Sequence, residues 1–126
     1  MPVRLIMEAD YLRIECSGRL TAQDFLQLAE AVIKLEASLG HAPNRITNLT
    51  EVQQWDVSFL DIAELTRIRK ATLFPNLIKS AVVATLPVHF GMARMFQTLN
   101  KHPQIAVEIF SSPEAALEWI VAADQT

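Results

Sequence analysis

Few side chains in this sequence have the type and spacing to do chemistry, and each has a structural duty that competes with that use. The histidines are His41, His89 and His102, and Cys16 is the only thiol. A zinc site needs three or four ligands converging at about 2.0–2.3 Å. These four residues are far apart in sequence and share no ligand spacing, so no metal is expected. His89 is the best placed of them. It follows the apolar run Ala81–Ala84, and ligands of α/β proteins gather beyond the carboxyl ends of strands. Phe90, Gly91 and the free amides of a helix start share that place, with Arg94 one turn on. A small anion or polar ligand would suit it. The plain alternative leaves His89 and Arg94 facing solvent.

Nucleophilic catalysis has no support. There is no G-x-S-x-G elbow, and Ser58, Ser111 and Ser112 read as helix caps. Cys16 lies in an alternating strand and reads as a small buried residue rather than a nucleophile. Asp56 and Asp61 flank Ser58, but Asp61 belongs to the cap. Three glycines leave no loop to cradle a phosphate. No catalytic residue, no cofactor and no enzymatic activity are expected; an enzyme built on His89 or Asp56 is the weakest of the functional readings.

The apolar residues say more. Phe90, Met92, Met95 and Phe96 crowd one short segment. Residues 90 and 92 point about 200° apart on a helix, so they cannot all face one sheet. Methionines adapt to irregular partners, so the segment could close an apolar pocket or form a homodimer face, against the simpler reading that it is core. Trp55 raises the same question from the connection in which it is expected to lie, either as a lid over a cavity or as cover for the core edge. Arg67, Arg69 and Lys70 are the densest basic run, and their spacing spreads them round a helix as a solvated face.

The chain that must position these groups has 126 residues, enough for one domain, read as residues 1–126. With 51% apolar and 20% charged residues it should fold rather than stay disordered. A net charge of −3 and eleven scattered Lys and Arg give no phosphate-binding patch, so nucleic acid is not an expected partner. One cysteine cannot form an intrachain disulfide, no stretch reaches the roughly 18 apolar residues of a membrane span, and residues 1–7 do not read as a signal peptide. The expectation is a cytoplasmic protein without an integral membrane segment.

Hydrophobic periodicity supplies the elements. Residues 2–7 and the alternating YLRIEC at 11–16 predict an antiparallel hairpin, with Gly18 breaking the second strand. Thr21 and Asp24 form a capping box, and Phe25, Leu28, Ala29, Val32 and Leu35 give the first helix its stripe, stopped at Gly40. Residues 44–50 predict a strand and 51–57 a connection. Ser58 and Asp61 start a second helix with Phe59, Ile62, Leu65 and Thr66 or Ile68 inward, and Glu64, Arg67, Arg69 and Lys70 outward. KSAVVATL at 79–86 is a strand covered on both faces. A helix follows with Met92, Met95, Phe96 and Leu99 as its stripe, then the strand IAVEIF at 105–110. The last helix starts at Ser112-Pro113 or Ser111 with Glu114, and buries Ala116, Leu117, Trp119 and Ile120. The order is β-β-α-β-α-β-α-β-α, with the helical crossovers requiring parallel strands.

GRLTAQDFLQL (18–28), AVVATLPVHFGMARMFQTL (81–99) and VEIFSSPEAALEWI (107–120) together resemble the SpoIIAA-like, or STAS/SEC14-type, family of small bacterial proteins. The resemblance implies an α/β STAS-like fold, a mixed sheet of four to five strands with helices stacked largely on one side. It also implies kinship with anti-sigma-factor antagonists, whose switch is a serine in an Asp-Ser-x-Gly-like turn. Here Val57 precedes Ser58 and Leu60 stands where glycine would, so that motif is not intact. Ser58 or Thr50 as a phosphosite is the residual expectation, and a phosphate on Ser58 would suit a helix N-terminus.

Two functions follow as expectations. The first is a non-enzymatic STAS-like interaction or regulatory module that binds a protein partner or a second copy of itself. The second is a domain that binds a lipid-like or other small apolar molecule, with Trp55, Phe90, Met92 and Met95 lining a pocket above about 300 Å³.

Overall fold

The computed structural model describes residues 2–122, apart from the side chains of Leu65 and Ile68. The elements are β1 (Val3–Met7), β2 (Tyr11–Thr21), α1 (Ala22–Leu39), β3 (Asn44–Asp56), α2 (Phe59–Lys70), β4 (Ile78–Val83), α3 (Pro87–Leu99), β5 (Ile105–Phe110) and α4 (Pro113–Val121). The order is the one the periodicity predicts. The strands form one sheet in the order β1-β2-β3-β4-β5. β1 is antiparallel to β2, and the other three pairings are parallel.

This order fixes where the helices go. Each crossover from β2 to β5 steps one strand in the same direction, and right-handed crossovers then put α1, α2 and α3 on one face. The cores agree. Leu12, Ile14, Cys16 and Val82 pack with Val32 of α1 and Ala93 of α3. Ala81 and Val83, the alternate residues of β4, turn the other way and meet Ala116 and Ile120 of α4. Thus β4 is covered on both faces, as its unbroken apolar run requires.

The starts and stops follow local chemistry. Thr21 Oγ1 accepts from the Asp24 N–H at 3.2 Å while Asp24 Oδ2 accepts from the Thr21 N–H at 2.9 Å, the expected reciprocal box. Gly40 ends α1 in the left-handed region, at φ 76°. Ser58 and Asp61 repeat the box at α2. Ser112 caps α4 by accepting from Ala115 N–H, with Pro113 at the first helical position, so the Ser111 alternative is not used. α3 starts at Pro87 behind Leu86, which supplies no side-chain cap.

Several expectations are corrected. Gly18 does have positive φ, 67°, but it does not end β2. The strand absorbs it between two register shifts and runs on to Thr21 beside residues 51–56. Those residues are strand, not connection, so Trp55 lies in β3 rather than in a loop. Phe59 and Leu117 are exposed, against the inward places expected for them. Ile62 and Thr66 are buried as expected, while the inward places expected for Leu65 and Ile68 lie outside the described side chains. Arg69 is drawn off the solvated face into an ion pair with Glu36. No helix among the described residues is long and apolar enough to cross a membrane.

A cavity beneath three helices as the candidate functional site

Three helices laid side by side across a twisted sheet do not fill the space beneath them. Between the sheet and α1–α3 lies a cavity of about 160 Å³. Phe25, Leu28, Ala29 and Val32 of α1 wall one side, and Met92 and Phe96 of α3 the other. Its floor is Ile14, Leu49, Val82 and Ile78 from the strands, and Ile62 and Thr66 of α2 also line it.

The cavity is apolar along its length and polar in places. Trp55, near the carboxyl end of β3, stacks on Phe25 with ring centroids 6.5 Å apart. Arg45, ten residues earlier on the same strand, lines the far part with Arg69, Ser80 and Asn100. At about 3.3 Å per residue the lining runs the length of β3. Trp55 Nε1 and Asn100 Oδ1, both on cavity-lining residues, are buried with no hydrogen-bond partner among the described residues. A buried donor or acceptor left unpaired costs roughly 1–3 kcal/mol, so two such groups on one cavity mark it as more than a packing fault.

An ion cluster closes the Arg45 end. Glu36 of α1 receives Arg45 Nη2 at 2.9 Å and both terminal nitrogens of Arg69 at 3.2 Å. Burial pushes the Glu36 carboxyl up, but the hydrogen bonds and charges of Arg69 and Arg45 outweigh it and hold the group below its ordinary value. Burial draws the Arg45 guanidinium down, opposed by its bond to Glu36 and reinforced by the charge of Arg69. Arg45 also donates from Nε and Nη2 to the Pro43 carbonyl, at 3.2 and 2.8 Å. On its far side Arg69 lies over the Phe74 ring at 4.7 Å and borders a second hollow of about 290 Å³. Leu73, at its rim, is almost wholly exposed, and none of the buried unpaired atoms belongs to it.

The predicted site residues divide. Trp55, Met92 and Phe96 line the cavity. Phe90 and Arg94 are exposed on α3, Met95 is half-buried, and none of the three lines the cavity. His89 does not line the cavity and does not face solvent: it is fully buried, and its Nδ1 has no hydrogen-bond partner among the described residues. β3 runs past its last pairing with β4 at Asn48, and on that overhang His89 Nε2–H donates to the Val52 carbonyl at 2.9 Å. A backbone carbonyl only accepts, so Nε2 carries the proton. His102 is likewise engaged, donating from Nε2 to the Thr72 carbonyl at 2.6 Å and accepting the Gln104 N–H on Nδ1. Ser58 is an exposed cap, and Thr50 bonds to Asn48. The Cys16 thiol is pushed up to about 12, by burial first and then by the charges of Glu15 and Asp24.

Arg45, Glu36, Ser80 and Asn100 were not singled out by the sequence. The available signal was period two in Arg45-Ile46-Thr47-Asn48-Leu49: Arg45 shares a face with Thr47 and the buried Leu49, an odd place for a charge.

No protein-family profile matches the chain, and no curated protein matches it. Among solved structures it is similar to an uncharacterised protein of the DUF3478 family with a SpoIIAA-like fold from Shewanella loihica PV-4. The likeness covers 94% of this chain and 91% of that one, at 18% identity and a TM-score of 0.58. At that identity the likeness speaks for architecture, and with the strand order and helix placement above it establishes that this chain has the SpoIIAA-like α/β fold.

Proposed function

We propose that this protein is a non-catalytic binding module whose working part is the cavity beneath α1–α3, and that the cavity takes up a small apolar molecule. The observation that carries this is the pairing of a carbon-lined space with two buried, unpartnered polar atoms, Trp55 Nε1 and Asn100 Oδ1. Engineered apolar cavities of about 150 Å³ hold benzene, whereas drug-sized ligands occupy about 300–1,000 Å³. At about 160 Å³ the space suits one ring or a short chain rather than a whole lipid. Binding without catalysis fits a Cys16 thiol raised far above neutrality, and His89 and His102 each committed to a backbone carbonyl.

Toluene and 1-hexanol are the probes. Titrating either should shift the indole N–H resonance of Trp55 and leave that of Trp119, on the opposite face, in place. Ala29→Phe, which fills the space, should abolish the shift. Unmoved Trp55 with both probes, or equal movement of both indoles, would sink the proposal.

A second reading, association with a second copy of the chain, rests on a different surface. Phe59 and Leu60 at the start of α2 are 55% and 74% exposed, and Leu86, Val88 and Phe90 stand exposed at the start of α3. Both helices leave from the carboxyl ends of adjacent strands. Sedimentation of the native chain and of Leu60→Glu is the test: a dimer that the charge dissociates supports it, and a monomer at every concentration removes it.

A further inference from the structure

The cavity is bordered by charge as well as by carbon. Arg45 and Arg69 both line it, and no aspartate or glutamate does. Glu36 is the only carboxylate among the described residues that pairs with either, so the cluster carries two positive charges against one negative. Glu36 borders the second hollow and not this cavity, which leaves the guanidiniums between the carboxylate and the apolar space. Arg45 is 7% exposed. Its Nε and Nη2 are engaged by Pro43 and Glu36, while Nη1 makes no hydrogen bond among the described residues. Ser80 faces Arg45 directly across the β3–β4 pairing and lines the same cavity. Ser80 is a buried residue, and its hydroxyl makes no side-chain hydrogen bond among the described residues. Strands in register lie about 4.8 Å apart, close enough for one guanidinium and one hydroxyl to meet a single carboxylate. An unbalanced buried cation is costly, and a fixed guanidinium edge is well shaped for carboxylate oxygens.

We infer that the ligand is an apolar molecule bearing one carboxylate, seated with the carboxylate on Arg45 and Ser80 and its carbon body running toward Trp55. This rests on the cavity reading above and adds the charge and direction of its occupant. One bound anion brings the cluster to neutrality, and the Trp55 indole N–H lies toward the other end of the lining, away from the carboxylate.

Hexanoate and 1-hexanol, which share a chain and differ in charge, are the comparison, measured by calorimetry on the whole protein at neutral pH. Hexanoate should bind at least about ten-fold more tightly, equivalent to about 1.4 kcal/mol. Arg45→Gln should bring the ratio of the two affinities close to one, and Ser80→Ala should lower it. Glu36→Gln, which leaves both arginines uncompensated, should raise it. The last two variants carry the test if Arg45→Gln does not fold. Hexanol bound with hexanoate no tighter, or a ratio that Glu36→Gln and Ser80→Ala leave unchanged, overturns this inference while the apolar cavity stands. Failure of both ligands to bind overturns the cavity reading itself.

Discussion

The two faces of the sheet are built from the same strands and reach opposite results. On the α4 face, Ala81 and Val83 meet Ala116 and Ile120, with Phe110 and Trp119 closing the edge at a ring separation of 5.6 Å. One short helix of small and branched residues lies close over β3 and β4. On the other face, three helices must span the sheet from β2 to β5. Their stripes of Phe25, Leu28, Met92 and Phe96 are half-buried, and a cavity remains among them. Of the buried polar residues, Arg45, Thr66, Ser80 and Asn100 belong to the cavity wall, while His89 and His102 lie outside it. One face is therefore built for packing, and the other keeps a polar-ended space at some expense in stability.

The sharpest way to break this contrast is to truncate the packed face. Ile120→Ala should destabilise by about 2–5 kcal/mol, because the close-packed α4 contact has no slack to collapse into. Denaturant unfolding measures it, and a loss under about 1 kcal/mol would show that the face is not close-packed.

Enlarging an alanine on each face separates them by sign. Ala116→Leu should cost about 1–3 kcal/mol by overpacking. Ala29→Leu projects into the cavity and should be neutral or stabilise by about 0.5–2 kcal/mol. If both were equally harmful, the cavity would have no room for a side chain.

The helix starts sharpen the comparison at a smaller scale. Ser112→Ala removes the cap of α4 and should cost about 1 kcal/mol. Leu86→Ser should give α3 the cap it lacks and gain up to a similar amount. Thermal midpoints of the two variants should move in opposite directions.

The last test is a pH titration of the cavity face. Glu36 has a folded-state pKa below its ordinary 4.5. The stabilisation it supplies is complete above that value and is lost as pH falls through the lower, folded one. Glu36→Gln should therefore flatten the acid limb of stability against pH, while Ser112→Ala only displaces the curve. An unchanged acid limb in Glu36→Gln would remove the cluster from the pH response.

Much of the fold was legible because its signals are local. The caps at Thr21, Ser58 and Ser112, the stop at Gly40 and the alternation of Leu12, Ile14 and Cys16 depend on neighbours a few residues away. The extension of β2 and β3 was not legible. Pairing of residues 17–21 with 51–56 is a contact between distant segments, and it overrides both the glycine and the polar run Glu51-Val52-Gln53-Gln54. His89 was misread for the same reason, since its partner, the Val52 carbonyl, becomes available only where β3 outruns β4. Of the site, Trp55, Met92 and Phe96 were found by residue type. Arg45 was passed over because nothing near it in sequence announces that Glu36 and Arg69 will meet it.

By itself the sequence determined the number, kind and order of the elements, through periodicity and capping that act over three or four residues. Its three glycines and single cysteine were the ground for expecting no phosphate loop and no intrachain disulfide. Only the tertiary structure decided that three helices share one face, that they fail to fill it, and that two arginines and one glutamate from three separate elements converge there. Shape left over between packed surfaces, and charge summed across them, are properties of the assembled layers and of no local stretch of chain.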